Sequence, residues 1–453
     1  MRSPTRRRLG LGALLIAEAM ELLDATITQV AAPVIRADLG GPASDIPWFS
    51  TAFTLPFTVL LITGGRLGDR LGRKRMFVVG VAGFATASLC CALVATAPQL
   101  IALRAVQGAF AALVIPQTIG LIKSMFDGRE LARALGSIGP VMGASAICGP
   151  LLGALLTRAD LLGTSWRTVF LVNLPLVALV LMGSRLLPAN AADDPPRLDL
   201  VGTVLVAAGL TTVVYPLIES DRLNWPLWSW ATMAAGLAAL TLFGLHQRFR
   251  NRRGASRLIE GSLFGDRGFP AALVASTLFF AAVNGLMLVV VLHIQLSLRL
   301  DVLTAGLTLL PWSAFMALAS WLAGTRLSRF DGTRVMRGGL ALMLGGLLTA
   351  LAVYTHTPPH AYPWPLLPAL ALVGLGNGVF TVPFFTTALS RVRPHETGSA
   401  AGLLNAVQQC GGTLGIAVLG SVFLRGASPV TACWIGVALL AATGVAAAAI
   451  DAR

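Results

Sequence analysis

Charged residues are scarce in this sequence: 12% of its 453 residues are Asp, Glu, Lys or Arg, against 55% apolar, and the mean hydropathy is +0.77. Soluble domains carry about 25% charge, so water is excluded as the main solvent of the folded chain. Cysteine is also rare. All five (Cys90, Cys91, Cys148, Cys410 and Cys433) sit inside apolar stretches, and none has metal-ligand spacing. That excludes a disulfide framework and a zinc site, and neither a metal nor a cofactor is expected. Histidine is limited to five residues, and none is read as a base with the partner that a membrane enzyme such as a lipid acyltransferase needs, which argues against that class.

Apolar sequence in long runs is what the chain has instead. Runs near 20 residues cross a hydrocarbon core of about 30 Å at about 1.5 Å per residue. They recur at 9–33, 46–65, 76–97, 98–123, 131–157, 167–187, 199–219, 225–246, 268–297, 302–323, 335–355, 362–390, 397–422 and 430–450. The formal charge of +14 is not clustered as a nucleic-acid partner would require; it is periodic. With the N-terminus cytoplasmic, 27 of the 34 Lys and Arg fall in or next to cytoplasmic segments, 6 in or next to external ones, and Arg104 alone lies deep inside a run. The positive-inside rule therefore predicts that both termini are cytoplasmic, with the lipid bilayer as partner and no nucleic acid. Trp48, Trp166, Trp225, Trp228, Trp230, Trp364 and Trp434 then lie near external ends, as an interfacial belt requires. Met1–Arg8 has the charge of a signal-peptide start, but the run behind it is too long and carries acids, so it is expected to stay as the first transmembrane helix.

The long polar connections Pro188–Asp199 and Gln247–Asp266 bracket the seventh and eighth runs. After the second run, Gly64-Gly-Arg-Leu-Gly-Asp-Arg-Leu-Gly-Arg-Lys-Arg75 is echoed after the tenth by Gly324-Thr-Arg-Leu-Ser-Arg-Phe-Asp-Gly-Thr-Arg334. Together these predict an N-terminal six-helix bundle (1–188), a linker with two inserted helices (189–262) and a C-terminal six-helix bundle (263–453), arranged as a parallel repeat. Such repeats serve alternating access, with the substrate near the midplane.

The first run contains Glu18, Glu21 and Asp24 at steps of three, one broad stripe of a helix. Each costs about 2.5–3.5 kcal/mol at a helix centre, so the three are expected to line a wet cavity or share protons. Arg104 in the fourth run lies at the depth of Asp24. An Arg there stays charged and needs a partner, which a nearby carboxylate supplies or withdraws by protonation; a purely structural pair is the alternative. In the hairpin after the second run, Gly65 and Gly72 allow a sharp reversal, while Asp69 caps the next helix or pairs with a cation such as Arg73. Gly149, Pro150 and Gly153 in the fifth run allow close approach and a bend, or generic packing.

These motifs resemble the major facilitator superfamily, in particular its fourteen-helix drug/proton antiporter branch. Leu23-Asp-Ala-Thr-Ile27 through Pro33 is similar to the branch's helix 1 motif, and Gly65–Arg75 to the superfamily's loop motif. Arg104-Ala-Val-Gln-Gly108 with Pro116 resembles the helix 4 motif, whose arginine is associated with proton coupling. Gly149-Pro-Leu-Leu-Gly153 resembles the helix 5 motif of antiporters, and Trp166-Arg-Thr-Val-Phe-Leu-Val-Asn-Leu-Pro175 the start of helix 6. Gln29, Phe110 and Ala154 depart from the usual Asn, Gly and Gly, and Arg329 stands at the position aligned with Asp69.

The expected fold is an all-α membrane protein of the major-facilitator type with fourteen transmembrane helices. The expected function is proton-coupled export of small amphipathic compounds across a bacterial cytoplasmic membrane by a monomer, with a proton symporter for uptake of a polar solute as the alternative. Candidate proton-coupling residues are Asp24, Glu21, Glu18 and Arg104. Candidate gating residues are Gly65, Asp69, Gly72, Arg73, Gly149, Pro150 and Gly153. Gln29, Gln107, Asn284, Trp312, Gln408 and Gln409 are candidate substrate contacts, although interhelical packing or hydrogen bonding serves each as well. His293 is placed near the external end of the ninth run.

Overall fold

Helix boundaries follow local chemistry in the computed structural model, which describes residues 4–160, 163–189, 198–220, 225–252, 261–265, 267–358, 361–390, 392–393, 397–426 and 428–451. The helices are α1 (Pro4–Leu39), α2 (Asp45–Leu71), α3 (Arg73–Ala92), α4 (Ala97–Met125), α5 (Gly128–Gly136), α6 (Ile138–Ala159), α7 (Thr168–Leu171) and α8 (Asn173–Ser184). They continue as α9 (Leu200–Glu219), α10 (Leu227–Arg252), α11 (Gly268–Leu292), α12 (Val302–Thr325), α13 (Gly332–His356), α14 (Leu366–Ser390), α15 (Thr397–Leu424) and α16 (Pro429–Asp451). Only Ser137 separates α5 from α6, and only Val172 separates α7 from α8, so the described residues form fourteen rods without a strand. Thirteen are long and apolar enough to cross a membrane by composition alone. The remaining rod is α1, which carries the three carboxylates. The middles of the two long linkers, 190–197 and 253–260, lie outside the described residues.

Several expected boundaries move: α1 continues to Leu39 rather than 33, α2 to Leu71 rather than 65 and α10 to Arg252 rather than 246. α3 stops at Ala92, where the Leu93 N–H turns back to the Cys90 carbonyl, rather than at residue 97. Thr96 is extended, and Pro98 occupies the first turn of α4, where its missing N–H costs nothing.

The chain divides into two compact units. The first comprises Met1–Gly41, Phe49–Thr212 and Ala234–Leu258; the second comprises Pro42–Trp48, Val213–Met233 and Ile259–Arg453. The boundaries at 212/213 and 233/234 divide α9 and α10 between them. Within the first unit, α1 packs on α6 and α8, and α3 on α4 and α8. Within the second, α11 packs on α15 and α16, and α13 on α14 and α16. The same contact scheme thus occurs twice, α11, α13, α14, α15 and α16 taking the parts of α1, α3, α4, α6 and α8.

Close backbone approach repeats with it. A β-carbon on Gly108 of α4 would lie 2.0 Å from the Phe53 carbonyl oxygen of α2, and one on Gly374 of α14 would lie 2.1 Å from the Trp312 carbonyl oxygen of α12. Gly149 of α6 sits against Thr26 of α1, and Gly411 of α15 against Thr277 of α11. Packing through small residues is the usual glue between helices in lipid, where apolar burial gives no drive. In the first unit, α9 is tied to α2 by a 2.9 Å hydrogen bond between the Thr203 and Thr63 hydroxyls. α10 leaves Leu237, Leu242, Leu245 and Phe249 exposed, a surface suited to lipid and not to water.

Candidate functional site

A buried carboxylate in a low-dielectric interior must be matched by donors. Asp24 on α1 is fully buried and meets three side chains of the first unit, with Ser88 behind two of them. Arg104 of α4 forms a salt bridge through Nη1 to Oδ2. Gln107 Nε2 and Asn173 Nδ2 donate to Oδ1 at 3.0 and 2.8 Å. Ser88 of α3 accepts from Gln107 at 2.8 Å and from Asn173 at 3.3 Å. Arg104, also fully buried, donates from Nε to the Phe49 carbonyl at 3.0 Å and from Nη1 to Gln107 Oε1 at 2.7 Å. The Phe53 ring lies 4.4 Å from its guanidinium carbon, adding a cation–π contact. Arg104 Nη2 and Asn173 Oδ1 have no hydrogen-bond partner among the described residues.

The expected partnership of Asp24 and Arg104 is therefore present, drawn from helices 80 residues apart. Gln107, expected as a substrate contact, spends its amide on Asp24, Arg104 and Ser88 and has no exposed surface. Asn173 and Ser88 were not singled out by sequence reasoning. Asn173 stands inside the Trp166–Pro175 motif, which carried the only signal for it. Glu18 is buried beside Thr118 of α4, and Glu21 is half-buried. In the repeat, matching Thr26 to Thr277 sets Ala275 opposite Asp24, and matching Gly108 to Gly374 sets Leu370 opposite Arg104. Ionic chemistry at this level belongs to the first copy alone.

Helix α6 reaches the pair through its glycines. A β-carbon on Gly149 would lie 1.9 Å from Thr26 Oγ1, and one on Gly153 would lie 2.9 Å from the Ile27 carbonyl oxygen. Both contacts fall within three residues of Asp24, and Pro150 lies inside the helix between them. At the far end of α2, Gly72 has φ +98°, a value glycine adopts without strain, and it separates α2 from α3. Arg73 Nη2 pairs with Asp69 at 2.8 Å, and Arg73 Nη1 donates to the Gly120 carbonyl of α4 at 3.2 Å. A β-carbon on Gly65 would lie 3.3 Å from Pro116. In the second copy Asp331, two residues beyond Arg329, caps α13 by accepting from the Thr333 N–H at 3.0 Å.

Among the remaining candidates, Gln29 is buried on α1. Asn284 donates to the Phe280 carbonyl of its own helix at 3.0 Å and lies against Gly412 of α15, one turn from Gln408 and Gln409, which are half-buried. Trp312 is buried in α12 with its backbone against Gly374. Among the described residues no cluster of His, Cys, Asp or Glu has the arrangement of a metal site.

Helices packed in two copies of one scheme, with a buried acid–arginine pair in the first, define a membrane transporter rather than an enzyme. The family model of the Major Facilitator Superfamily matches residues 14–416, and the chain belongs to that superfamily. It is 44% identical over 419 residues to a probable actinorhodin transporter of Streptomyces coelicolor, covering 92% of this chain and 72% of that protein. It is 35% identical to a puromycin resistance protein of Streptomyces alboniger (92% and 82% covered) and 32% identical to a tetracenomycin C resistance and export protein of Streptomyces glaucescens (92% and 75%). Solved structures with a similar fold include a POT family transporter (TM-score 0.69, 12% identity, 97% and 94% covered) and a D-xylose–proton symporter (TM-score 0.64, 14% identity, 98% and 95%). At those identities the likeness is one of fold.

Proposed function

We propose that this transporter is a proton-coupled antiporter that exports small amphipathic compounds, of the antibiotic class named for its relatives, across the bacterial cytoplasmic membrane. The observation that carries the reading is the enclosed Asp24–Arg104 pair. A fully buried ion pair contributes little net stability, because desolvation offsets its attraction. Its retention in α1 and α4 is therefore best explained by work that a hydrophobic pair cannot do. Protonation removes the Asp24 charge and with it the hold on Arg104, which has an unused Nη2 ready for another acceptor. Because Gly149 and Gly153 lock α6 onto α1 beside the pair, a shift of α1 is transmitted to α6. Protonated and deprotonated carboxylate thus favour different arrangements of the same helices, which is what coupling to a gradient requires. The reading includes a monomer with six helices on either side of the inserted pair, both termini cytoplasmic, and substrate contacts drawn from Gln29, Asn284, Trp312, Gln408 and Gln409.

The test is transport into inverted vesicles with an imposed pH gradient, using puromycin, tetracenomycin C and ethidium. The wild type is expected to accumulate at least one of them while the interior is acidic and to stop when the gradient is dissipated. Asp24→Asn and Arg104→Gln are each expected to lose gradient-driven accumulation, and the Asp24→Asn/Arg104→Gln pair, which leaves no lone buried charge, checks that loss is not misfolding. Retained activity in Asp24→Asn with loss in Glu21→Gln or Glu18→Gln moves coupling to that acid. Wild-type rates in all of these variants overturn the carboxylate mechanism.

A further inference from the structure

The second unit has an open groove along α13 and α14, apart from the buried acid–arginine pair and from the candidate substrate contacts. Phe330 and Arg334 stand at one end, Gly338, Ala341 and Gly345 follow along α13, and Leu372 of α14 completes the wall, for a volume of about 740 Å³. Two glycine stripes on α13 separate this groove from ordinary packing. β-Carbons on Gly339 and Gly346 would lie 2.6 and 2.7 Å from the backbone nitrogens of Phe380 and Val373, so that stripe brings α14 close. One residue back, a β-carbon on Gly338 would meet nothing within 4 Å, and one on Gly345 only the Leu372 side chain at 3.9 Å. Glycine weakens a helix interior, and this second stripe opens a trough instead of making a close contact.

The trough has a polar end and an apolar end. α13 is long and apolar enough to span a membrane, and its 25 residues make about 37 Å of helix against a hydrocarbon core of about 30 Å. Arg334, in the first turn, therefore reaches headgroup level, while Gly345, about 16 Å further along the axis, lies in the hydrocarbon. Charge gathers at the headgroup end: Arg326, Arg329, Arg334 and Arg337 are all exposed, and Asp331 is the one acid between them in sequence. That carboxylate caps α13 through the Thr333 N–H and lies 3.8 Å from Arg334 Nε. The Arg334 side chain is nevertheless 85% exposed, and among the described residues Asp331 is its only partner. In the first copy Lys74 follows Gly72 by two residues, as Arg334 follows Gly332, but Lys74 Nζ donates to the Arg185 and Leu187 carbonyls at 3.4 and 3.1 Å. The cation that the first copy satisfies internally faces outward in the second.

A phosphodiester matches the polar end, because a guanidinium binds phosphate oxygens in pairs and basic sites between transmembrane helices attract anionic headgroups. Arg337 lies one turn before Ala341 on the same face of α13, so it flanks the trough beside Arg334. The apolar floor beneath them suits an acyl chain. We propose that this groove binds an anionic phospholipid of the phosphatidylglycerol type, its phosphate on Arg334 and Arg337 and one acyl chain along Gly338, Ala341 and Gly345. A zwitterionic lipid is disfavoured, since its ammonium group meets four arginines and a single carboxylate. The site is independent of Asp24 and does not rest on proton coupling.

Photolabelling of the full-length protein, one chain per nanodisc, tests this. The bilayer is dioleoylphosphatidylcholine with a trace of phosphatidylglycerol carrying a diazirine in one acyl chain, and labelled peptides are quantified by mass spectrometry against the exposed face of α10 as the reference for boundary lipid. Labelling of α13 and α14 is expected to exceed that reference at least tenfold and to be displaced by unlabelled dioleoylphosphatidylglycerol. Arg334→Gln/Arg337→Gln is expected to bring it down to the reference level, as is Gly338→Leu, which fills the trough where a β-carbon meets nothing. If the arginine variant does not fold, Gly338→Leu decides. Wild-type labelling at the reference level overturns the inference, as does labelling within twofold of wild type in the folded variants. Equal displacement by additional phosphatidylcholine assigns the groove to ordinary boundary lipid, and displacement by glycerol phosphate alone assigns it to a free phosphate; either overturns it. So does a dimer in detergent that Gly338→Leu dissociates, which gives the groove to a second copy of the chain.

Discussion

At the scale of single residues, Asn173 is the most informative addition to the site. It donates to Asp24 Oδ1 at 2.8 Å from a helix that the two charged residues do not occupy. A hydrogen bond to a charged group is worth about 1.5–3 kcal/mol, so Asn173→Leu is expected to lower gradient-driven efflux about tenfold or more at normal protein levels, measured in the same vesicles. Its neighbours were legible for a physical reason: charge in lipid is costly enough that Asp24 and Arg104 stand out in an apolar run, whereas neutral Asn173 and Ser88 cost little and follow no period. Gln107 was legible as polar but not in its partners, because helix spacing fixes a face and not what lies across from it. Outside the membrane, Asp199 shows a second demanding environment. Burial would raise its carboxyl, but the Gly202 N–H, His246 at 3.0 Å, Gln247 at 2.7 Å and the charge of Arg250 together hold it below its ordinary 3.8. A depressed carboxyl contributes stability that is present above its unfolded value and is lost as pH falls through the folded one. Thermal unfolding in detergent is therefore expected to show a wild-type advantage over Asp199→Asn that is constant above about pH 5 and shrinks towards pH 3.

At the scale of elements, the helices themselves were readable because apolar length in lipid leaves the backbone no other way to satisfy its hydrogen bonds. Their ends were less so, as at α3, where a turn at Leu93 and the extended Thr96 end the helix while the apolar run continues. The pairing of helices was partly readable. Gly149 and Gly153 marked a close contact, but the matching Gly411 and Gly415 on α15 passed unnoticed, since a glycine in a helix shows its neighbour only in three dimensions. The α1–α6 contact makes a direct prediction. Gly149→Ala sets a β-carbon into Thr26 and is expected to abolish efflux, whereas Gly149→Ala/Thr26→Gly moves the bulk from one helix to the other and restores a substantial part of it. Gly402→Ala, with nothing within 4 Å, is expected to behave as wild type.

At the scale of the whole molecule, the distribution of arginines makes the orientation testable. A reporter joined after Arg253 is expected to face the cytoplasm and one after Asn224 the outside, both positions lying outside the described residues; the same side for both would mean that α9 and α10 do not each cross the membrane. The duplication was visible in the sequence only as two hairpins, Gly64–Arg75 and Gly324–Arg334, because hairpins keep glycine and charge while lipid-facing positions exchange one apolar residue for another. The doubled contact scheme has a consequence for the gene. Gly64, Gly108, Gly374 and Gly415 each face a backbone carbonyl oxygen that a β-carbon would approach to 2.0–2.1 Å. All four glycine codons share their first two bases, so every single-nucleotide missense change there adds at least a methyl group. A mutational scan is therefore expected to find these four codons free to drift in the third base and closed to drift in the first two.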